Sequence, residues 1–438
     1  MRCSRSKKTI LTLMCVTLLT AGAPDIRAGG GRERTDEPSV TDETGVDSTT
    51  VSPARTPVAA DSGITTARPA PDTLDPEYLD QGAPAGADRE FATDFSRGTV
   101  DFSDILSGGP PKDGIPSIDD PRFVTVEEAK QWIAPQEAVL AMTRGDTTRI
   151  YPLQILMWHE IVNDTIGDLP VAVTWCPLCN TAVAFDRRAP GTDDVLEFGV
   201  SGRLRFSNLI MYDRTTESWW QQADGEGIAG AYAGARLAMI PVLTLSFEEV
   251  QQVYPDAQVL SRETGFRRSY GANPYRGYED SEEPFLYRGP ATDTSFRNLE
   301  RALVYLDGET SRAVAYSVLR EHRVIPVTID GADGYLLWSP GVAGSLSART
   351  VSDGPDVGTA NAFLARTHAG TEVDLYADET GSEPVIRDRE TESTWSAAGH
   401  ALEGSLQGER LVPSATVQHF WFSASAFGAI QLEDPVFQ

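Results

Sequence analysis

Cys176-Pro177-Leu178-Cys179 sets two thiols at the spacing that either closes a small redox-active disulfide or grips one metal ion. His159, upstream at the end of a helical pattern, is the natural third group, as ligand or as acid/base. Two thiolates and an imidazole suit a soft or borderline ion, so the expected metal set is Cys176, Cys179 and His159 around Cu(I) or Zn(II). One two-cysteine site does not complete a four-thiolate cage, which favours copper handling over a structural zinc. Without a metal, Cys176 and Cys179 are the candidate catalytic residues of a thiol–disulfide oxidoreductase. A purely structural disulfide is the bland reading. Its four-residue loop contributes only roughly 2 kcal/mol by chain entropy, a weak staple for a chain of this size.

Other groups are less specific. Met211 offers a thioether that reads as core. Glu160, Asp164 and Asp213 are carboxylates with no distinguishing spacing, and Trp219 is expected to line the site. Arg203, Arg205 and Asn208 form a weak candidate anion-binding edge. His368, His400 and His419 are expected to be structural or exposed. No Gly-x-Ser-x-Gly elbow is present, and no lysine follows Lys130, which excludes Schiff-base and phosphate-loop chemistry from the later chain.

The thiols need elements to hold them. An apolar strand at 138–143 turns at Gly145-Asp146, and a helix begins near Pro152, a residue suited to a first-turn position. Leu153, Leu156, Met157 and Ile161 give that helix its apolar stripe. A buried strand at 171–175 enters the cysteine turn, and further strands are expected at 181–186, 195–200 and 209–212. One short helix among many strands predicts an α+β, β-rich fold.

The pattern then recurs. At one constant shift Leu140 falls on Leu303, Gly145 on Gly308, Arg149 on Arg312, His159 on His322 and Trp175 on Trp338. At a slightly longer shift Asp213, Thr216, Ser218 and Trp220 fall on Asp388, Thr391, Ser393 and Trp395. This predicts an internally duplicated domain. Opposite Trp175-Cys176-Pro177-Leu178-Cys179 stands Trp338-Ser339-Pro340-Gly341-Val342, so the second copy keeps the turn and lacks both sulfurs. The expected organisation is a signal peptide (1–28), a disordered N-terminal linker (29–97), a first repeat domain with the Cys-Pro-Leu-Cys site (98–245), a loop-rich insertion (246–294) and a second, degenerate repeat domain (295–438).

The ends and composition bound the setting. Arg2, Arg5, Lys7 and Lys8 precede a short apolar run and small residues, the form of an export signal, so a periplasmic or extracellular protein is expected. No later stretch reads as a transmembrane segment. The 64 acidic against 37 basic residues give a net charge of -27, which repels nucleic acid and anionic membrane. A third reading is a non-catalytic scaffold whose protein partner uses the acidic face.

Four stretches carry a family resemblance. Asp113-Gly-Ile-Pro-Ser-Ile-Asp-Asp-Pro-Arg-Phe123, Tyr151-Pro-Leu-Gln-Ile-Leu-Met-Trp-His-Glu-Ile-Val-Asn-Asp164, Trp175-Cys-Pro-Leu-Cys-Asn-Thr-Ala182 and Tyr212-Asp-Arg-Thr-Thr-Glu-Ser-Trp-Trp-Gln-Gln222 resemble the prokaryotic domain of unknown function numbered 3179. The resemblance covers most of residues 110–430 and implies membership, not an activity.

Overall fold

The computed structural model describes residues 63–381 and 384–432. The expected signal peptide and the first part of the expected linker, 29–62, lie outside the described residues. Strands dominate, as the β-rich reading anticipates: one eight-stranded sheet, two five-stranded sheets and two four-stranded sheets, with short helices between them. Among the described residues no helix is long and apolar enough to cross a membrane.

The elements that carry the thiols follow one another without long loops. Strand Ala138–Arg144 pairs antiparallel with Thr147–Pro152 through a turn at Gly145, whose φ of 57° favours glycine. Helix Leu153–His159 follows at once, then the hairpin of Ile161–Ile166 with Leu169–Cys176. Pro152 sits one position earlier than expected: it ends the strand and caps the helix, with φ -66° and ψ 130°. The strand expected at 195–200 is displaced to Phe198–Arg205, because Val195 faces solvent and adds nothing to the core.

The same order returns later in the chain. Arg301–Asp307, Thr310–Ala315, Tyr316–His322, Val324–Ile329 and Ala332–Ser339 repeat strand, strand, helix, strand, strand, each aligned end to end with its counterpart at the spacing that sets Leu140 on Leu303. Trp175 N–H donates to the Glu160 carbonyl (2.9 Å), and Trp338 N–H donates to the Arg323 carbonyl (2.8 Å). The two runs are not separate bodies. In the eight-stranded sheet, Thr416–Phe420 lies between Arg301–Asp307 and Thr181–Asp186, so strands of both runs share one ladder.

Two expected boundaries move. The linker was expected to reach residue 97, yet residues from 63 onward lie against the folded body: Thr65 N–H donates to the Met239 carbonyl (3.0 Å), and Arg68 bridges Arg236. Large apolar residues are sparse there, but Phe91 and Phe95 each place a ring 5.1 Å from Trp219, and two such anchors supply the burial that composition hides. The insertion expected from 246 begins later as well. Helix Phe247–Val253 and strand Gln258–Leu260 join the sheet of Ala138–Arg144, and only the stretch from there to Arg301 lacks helix and strand.

One buried carboxylate organises a corner in each run. Asp213 accepts from Thr216 N–H (2.6 Å) and from Trp220 Nε1 (3.0 Å); Asp388 accepts from Thr391 N–H (2.6 Å) and from Trp395 Nε1 (3.0 Å). Both aspartates are fully buried. Gly230 and Gly404 close the corners at φ 93° and 98°, where a Cβ would meet the Ser218 and Ser393 side chains. Charge-assisted bonds to a buried carboxylate contribute about 1.5–3 kcal/mol each. Asp388→Ala is therefore expected to cost roughly 2–4 kcal/mol, read as a lower midpoint in urea unfolding, with Asp213→Ala costing a similar amount. A midpoint unchanged in either variant contradicts this role.

Candidate functional site

The Cys-Pro-Leu-Cys segment is the loop of a hairpin. Leu169–Cys176 is buried along its whole length and pairs with Thr181–Asp186, with Cys176 opposite Thr181. Asn180 turns the chain at φ 51°, a left-handed conformation that asparagine tolerates well. Its side-chain oxygen accepts from Trp175 Nε1 (3.3 Å). Both cysteines are free thiols, exposed by 1% and 0%.

Their surroundings differ. Asn208 donates an amide N–H to Cys179 Sγ at 3.0 Å. The amide is oriented from its other end, since its oxygen accepts from the Ala223 backbone N–H (3.1 Å) and from Gln221 Nε2 (2.6 Å). Cys179 Sγ also lies 3.7 Å from the Cys176 carbonyl, a weak contact. Burial pushes the Cys179 thiol up, but bonds from the Cys176 thiol, the Thr181 hydroxyl, Asn208 and the Thr181 N–H outweigh it and hold the group below its ordinary value. Burial pushes Cys176 well above its ordinary value, and its bond to the Cys179 sulfur pushes it further. The pair is thus polarised: Cys179 is the more readily ionised sulfur and Cys176 the less.

A carboxyl lies beside it. Glu160 follows the helix at φ 57° and is raised to about 8 by burial and by the neighbouring Cys179 sulfur. Behind the pair, Thr181 Oγ1 is 2.9 Å from His419 Nδ1, and burial lowers His419 to about 3, so its imidazole is neutral. Over the pair lies the stretch without helix or strand. Tyr278 donates its hydroxyl to the Leu178 carbonyl (2.6 Å), Ser207 donates to the Phe285 carbonyl (2.5 Å), and Phe420 N–H donates to the Cys179 carbonyl (2.8 Å). Arg301 anchors this cover through Glu279, with N–O distances of 2.5 and 2.9 Å between two buried side chains.

His159 does not join the sulfurs. Its Nδ1 lies 2.7 Å from the Pro116 carbonyl and its Nε2 lies 2.7 Å from the Tyr270 hydroxyl. A carbonyl only accepts, so Nδ1 carries the proton and Nε2 accepts from Tyr270. Burial lowers the ring to about 4, and neither nitrogen is left for a metal. Among the described residues no group of three or more His, Cys, Asp or Glu side chains could hold a metal ion. The expected ligand set of Cys176, Cys179 and His159 is therefore corrected: His159 is bonded elsewhere and does not belong to it.

Other expectations also shift. Trp219 packs on Phe91 and Phe95 instead of lining the thiols, while Met211 is core, as expected. Arg203 pairs with Glu90 (2.6 Å) and Arg205 with Asp104 (3.9 Å), so the two arginines of the proposed anion edge are already neutralised. Asn208 is instead the chief polar contact of Cys179. Phe206 and Ser207 precede it at φ 53° and 62°, a hairpin turn of the kind that normally takes glycine, and that strain was its one sequence-level trace.

The family model described as "Protein of unknown function (DUF3179)" matches residues 112–430. The chain belongs to this family. No curated protein and no solved structure matches it.

Two outcomes follow from these electrostatics. Asn208→Ala removes one N–H from the Cys179 sulfur. Thiol titration by pH-dependent alkylation is expected to show the Cys179 pKa rising by about one unit, the equivalent of one bond of about 1.4 kcal/mol; an unmoved profile contradicts the assignment. Glu160 is raised from 4.5 to about 8, so the stability of its protonated form is complete below pH 4.5 and is lost as pH climbs towards 8. Glu160→Gln is expected to flatten that decline by an amount on the order of a few kcal/mol, measured as the wild-type-minus-variant difference in denaturation midpoint across pH 4–9.

Proposed function

We propose that Cys176 and Cys179 act as a redox dithiol in an exported protein, exchanging electrons with a disulfide substrate. The observation that carries this reading is the asymmetry between the sulfurs: Asn208 donates an N–H to Cys179 Sγ at 3.0 Å, and Cys179 is shifted towards the thiolate while Cys176 is shifted towards the thiol. The thiolate is the species that attacks a disulfide. Cys179 attacks one sulfur of the substrate disulfide, a mixed disulfide forms and one substrate thiolate leaves. Cys176 then loses its proton and attacks Cys179 Sγ, closing the internal disulfide and releasing the second substrate thiolate. The two substrate sulfurs take up two electrons from the pair, one proton from Cys176 and one from solvent, and the chain is left oxidised. The reverse sequence oxidises a dithiol. Glu160 stands near enough to Cys179 to raise its own pKa, which suits it to take or return a proton beside the pair.

Metal handling remains the competing use of the same sulfurs. With His159 engaged elsewhere, two thiolates fall short of the four ligands Zn(II) takes in a structural site, which leaves Cu(I) as the ion of choice. Within this reading, the two similar runs are copies of one ancestral unit, of which only the first carries sulfur. The second keeps its turn as Ser339-Pro340-Gly341-Val342 and supplies His419 and Phe420 to the first.

Equilibration of the purified mature chain in graded dithiothreitol buffers, followed by alkylation and mass measurement, tests the proposal. A single two-electron transition between dithiol and disulfide is expected, absent from Cys176→Ser and Cys179→Ser. Thiols that stay reduced through every buffer overturn it. So does tight retention of one equivalent of Cu(I) by the reduced chain in place of any redox transition.

A further inference from the structure

A cavity lies where the segment before the first strand meets the cover and the later half of the chain. It is open, of about 480 Å³, and is bounded by Trp132 and Glu137 before the first strand, by Arg262 and Tyr270 from the cover, and by Arg349 and Thr350 from the second run. That volume falls within the range of small-molecule sites, roughly 300–1,000 Å³.

The wall is built rather than incidental. Glu137 and Gln154 are buried, and Glu137 accepts from the Ala134 N–H (2.9 Å) and from Gln154 Nε2 (2.5 Å). Gln154 in turn accepts from Arg262 Nε (3.0 Å), while Arg262 Nη2 donates to the Trp132 carbonyl (3.1 Å) and the guanidinium lies 4.7 Å from the Trp132 ring centre. One edge of the guanidinium is thereby fixed, and Nη1 makes no hydrogen bond among the described residues. Arg349 is exposed, and its side chain makes no ion pair or hydrogen bond among them.

Charge makes this arrangement informative. Acidic residues outnumber basic ones by 64 to 37, and most arginines that line the first run are met by a carboxylate. Arg262 and Arg349 face one cavity with neither in an ion pair among the described residues, and the one carboxyl in its wall, Glu137, spends its oxygens on an N–H and an amide. The second run lacks the device: Ser295 and Ser317 stand where Trp132 and Gln154 do, whereas Glu300 keeps the place of Glu137. Like the sulfurs, Trp132 and Gln154 have no counterpart of their type in the later half.

We propose that this cavity binds a small organic anion whose carboxylate or phosphate head lies between Arg262 and Arg349 and whose body occupies the space beside Trp132 and Tyr270. Guanidinium forks match both kinds of head, and a cavity of this volume holds more than an inorganic ion.

Calorimetric titration of the full mature chain tests this with benzoate and phenyl phosphate as probes, and with inorganic phosphate and benzyl alcohol as controls. At least one of the two organic anions is expected to bind, with the tighter one naming the head group, and Arg349→Gln is expected to weaken it tenfold or more. That variant removes an exposed side chain with no partner to lose, so it is expected to fold as the parent does, checked by circular dichroism. Arg262→Lys, which keeps charge but loses the fork, is expected to weaken binding as well. Absence of binding by both organic anions overturns the proposal. Equal binding by benzyl alcohol, inorganic phosphate as tight as phenyl phosphate, or unchanged affinity in Arg349→Gln does the same.

Discussion

The strand Thr416–Phe420 is the constraint on which the thiol hairpin depends. It pairs with Arg301–Asp307 on one side and meets Thr181–Asp186 through Gln418 and Ala182 on the other. In the same few residues it delivers His419 to Thr181 and the Phe420 N–H to the Cys179 carbonyl. A backbone that closes a sheet is far stiffer than a surface loop, so the turn is held from a rigid element. The later, sulfur-free half of the chain thereby contributes to the site directly. Its strand Thr416–Phe420 is part of the wall.

The polarisation of the pair follows from that rigidity. Removing two thiols from water favours the neutral form of both, and by burial alone each would titrate high. The asymmetry arises because fixed donors converge on one sulfur. Asn208 is aimed by Gln221 and Ala223, and Thr181 lies directly across the ladder from Cys176. A mobile amide would lose that advantage to its own disorder. The strained turn at Phe206 and Ser207 is offset by the sheet around it, and it fixes where Asn208 points.

Sequence made the frame legible and the contacts only partly so. Strand, turn, helix and strand from Ala138 to Cys176 follow from local periodicity and from Gly145, signals that travel with the residues themselves. The Cys-Pro-Leu-Cys turn was equally plain. His159 was misplaced because spacing reports that a ring ends a helix, not which way that ring faces; Pro116 and Tyr270, distant in the chain, decide that. Asn208 was filed with Arg203 and Arg205 because the three are neighbours in sequence, although the strand turns the arginines towards Glu90 and Asp104. The stretch from residue 63 to 97 read as linker because composition averages over a window, and two phenylalanines seated on Trp219 are invisible to an average.

The cover held by Tyr278 and by the Arg301–Glu279 pair has a consequence in time rather than in energy. Sulfurs exposed by 1% and 0% are out of reach of a disulfide substrate while that stretch is in place, so the exchange proposed above requires it to move. Under that proposal the oxidation state of the pair changes only as often as the cover moves, and so records past conditions instead of tracking present ones. A dithiol on an open surface is a gauge; one beneath a latched cover is a memory, and the latch sets how long it lasts.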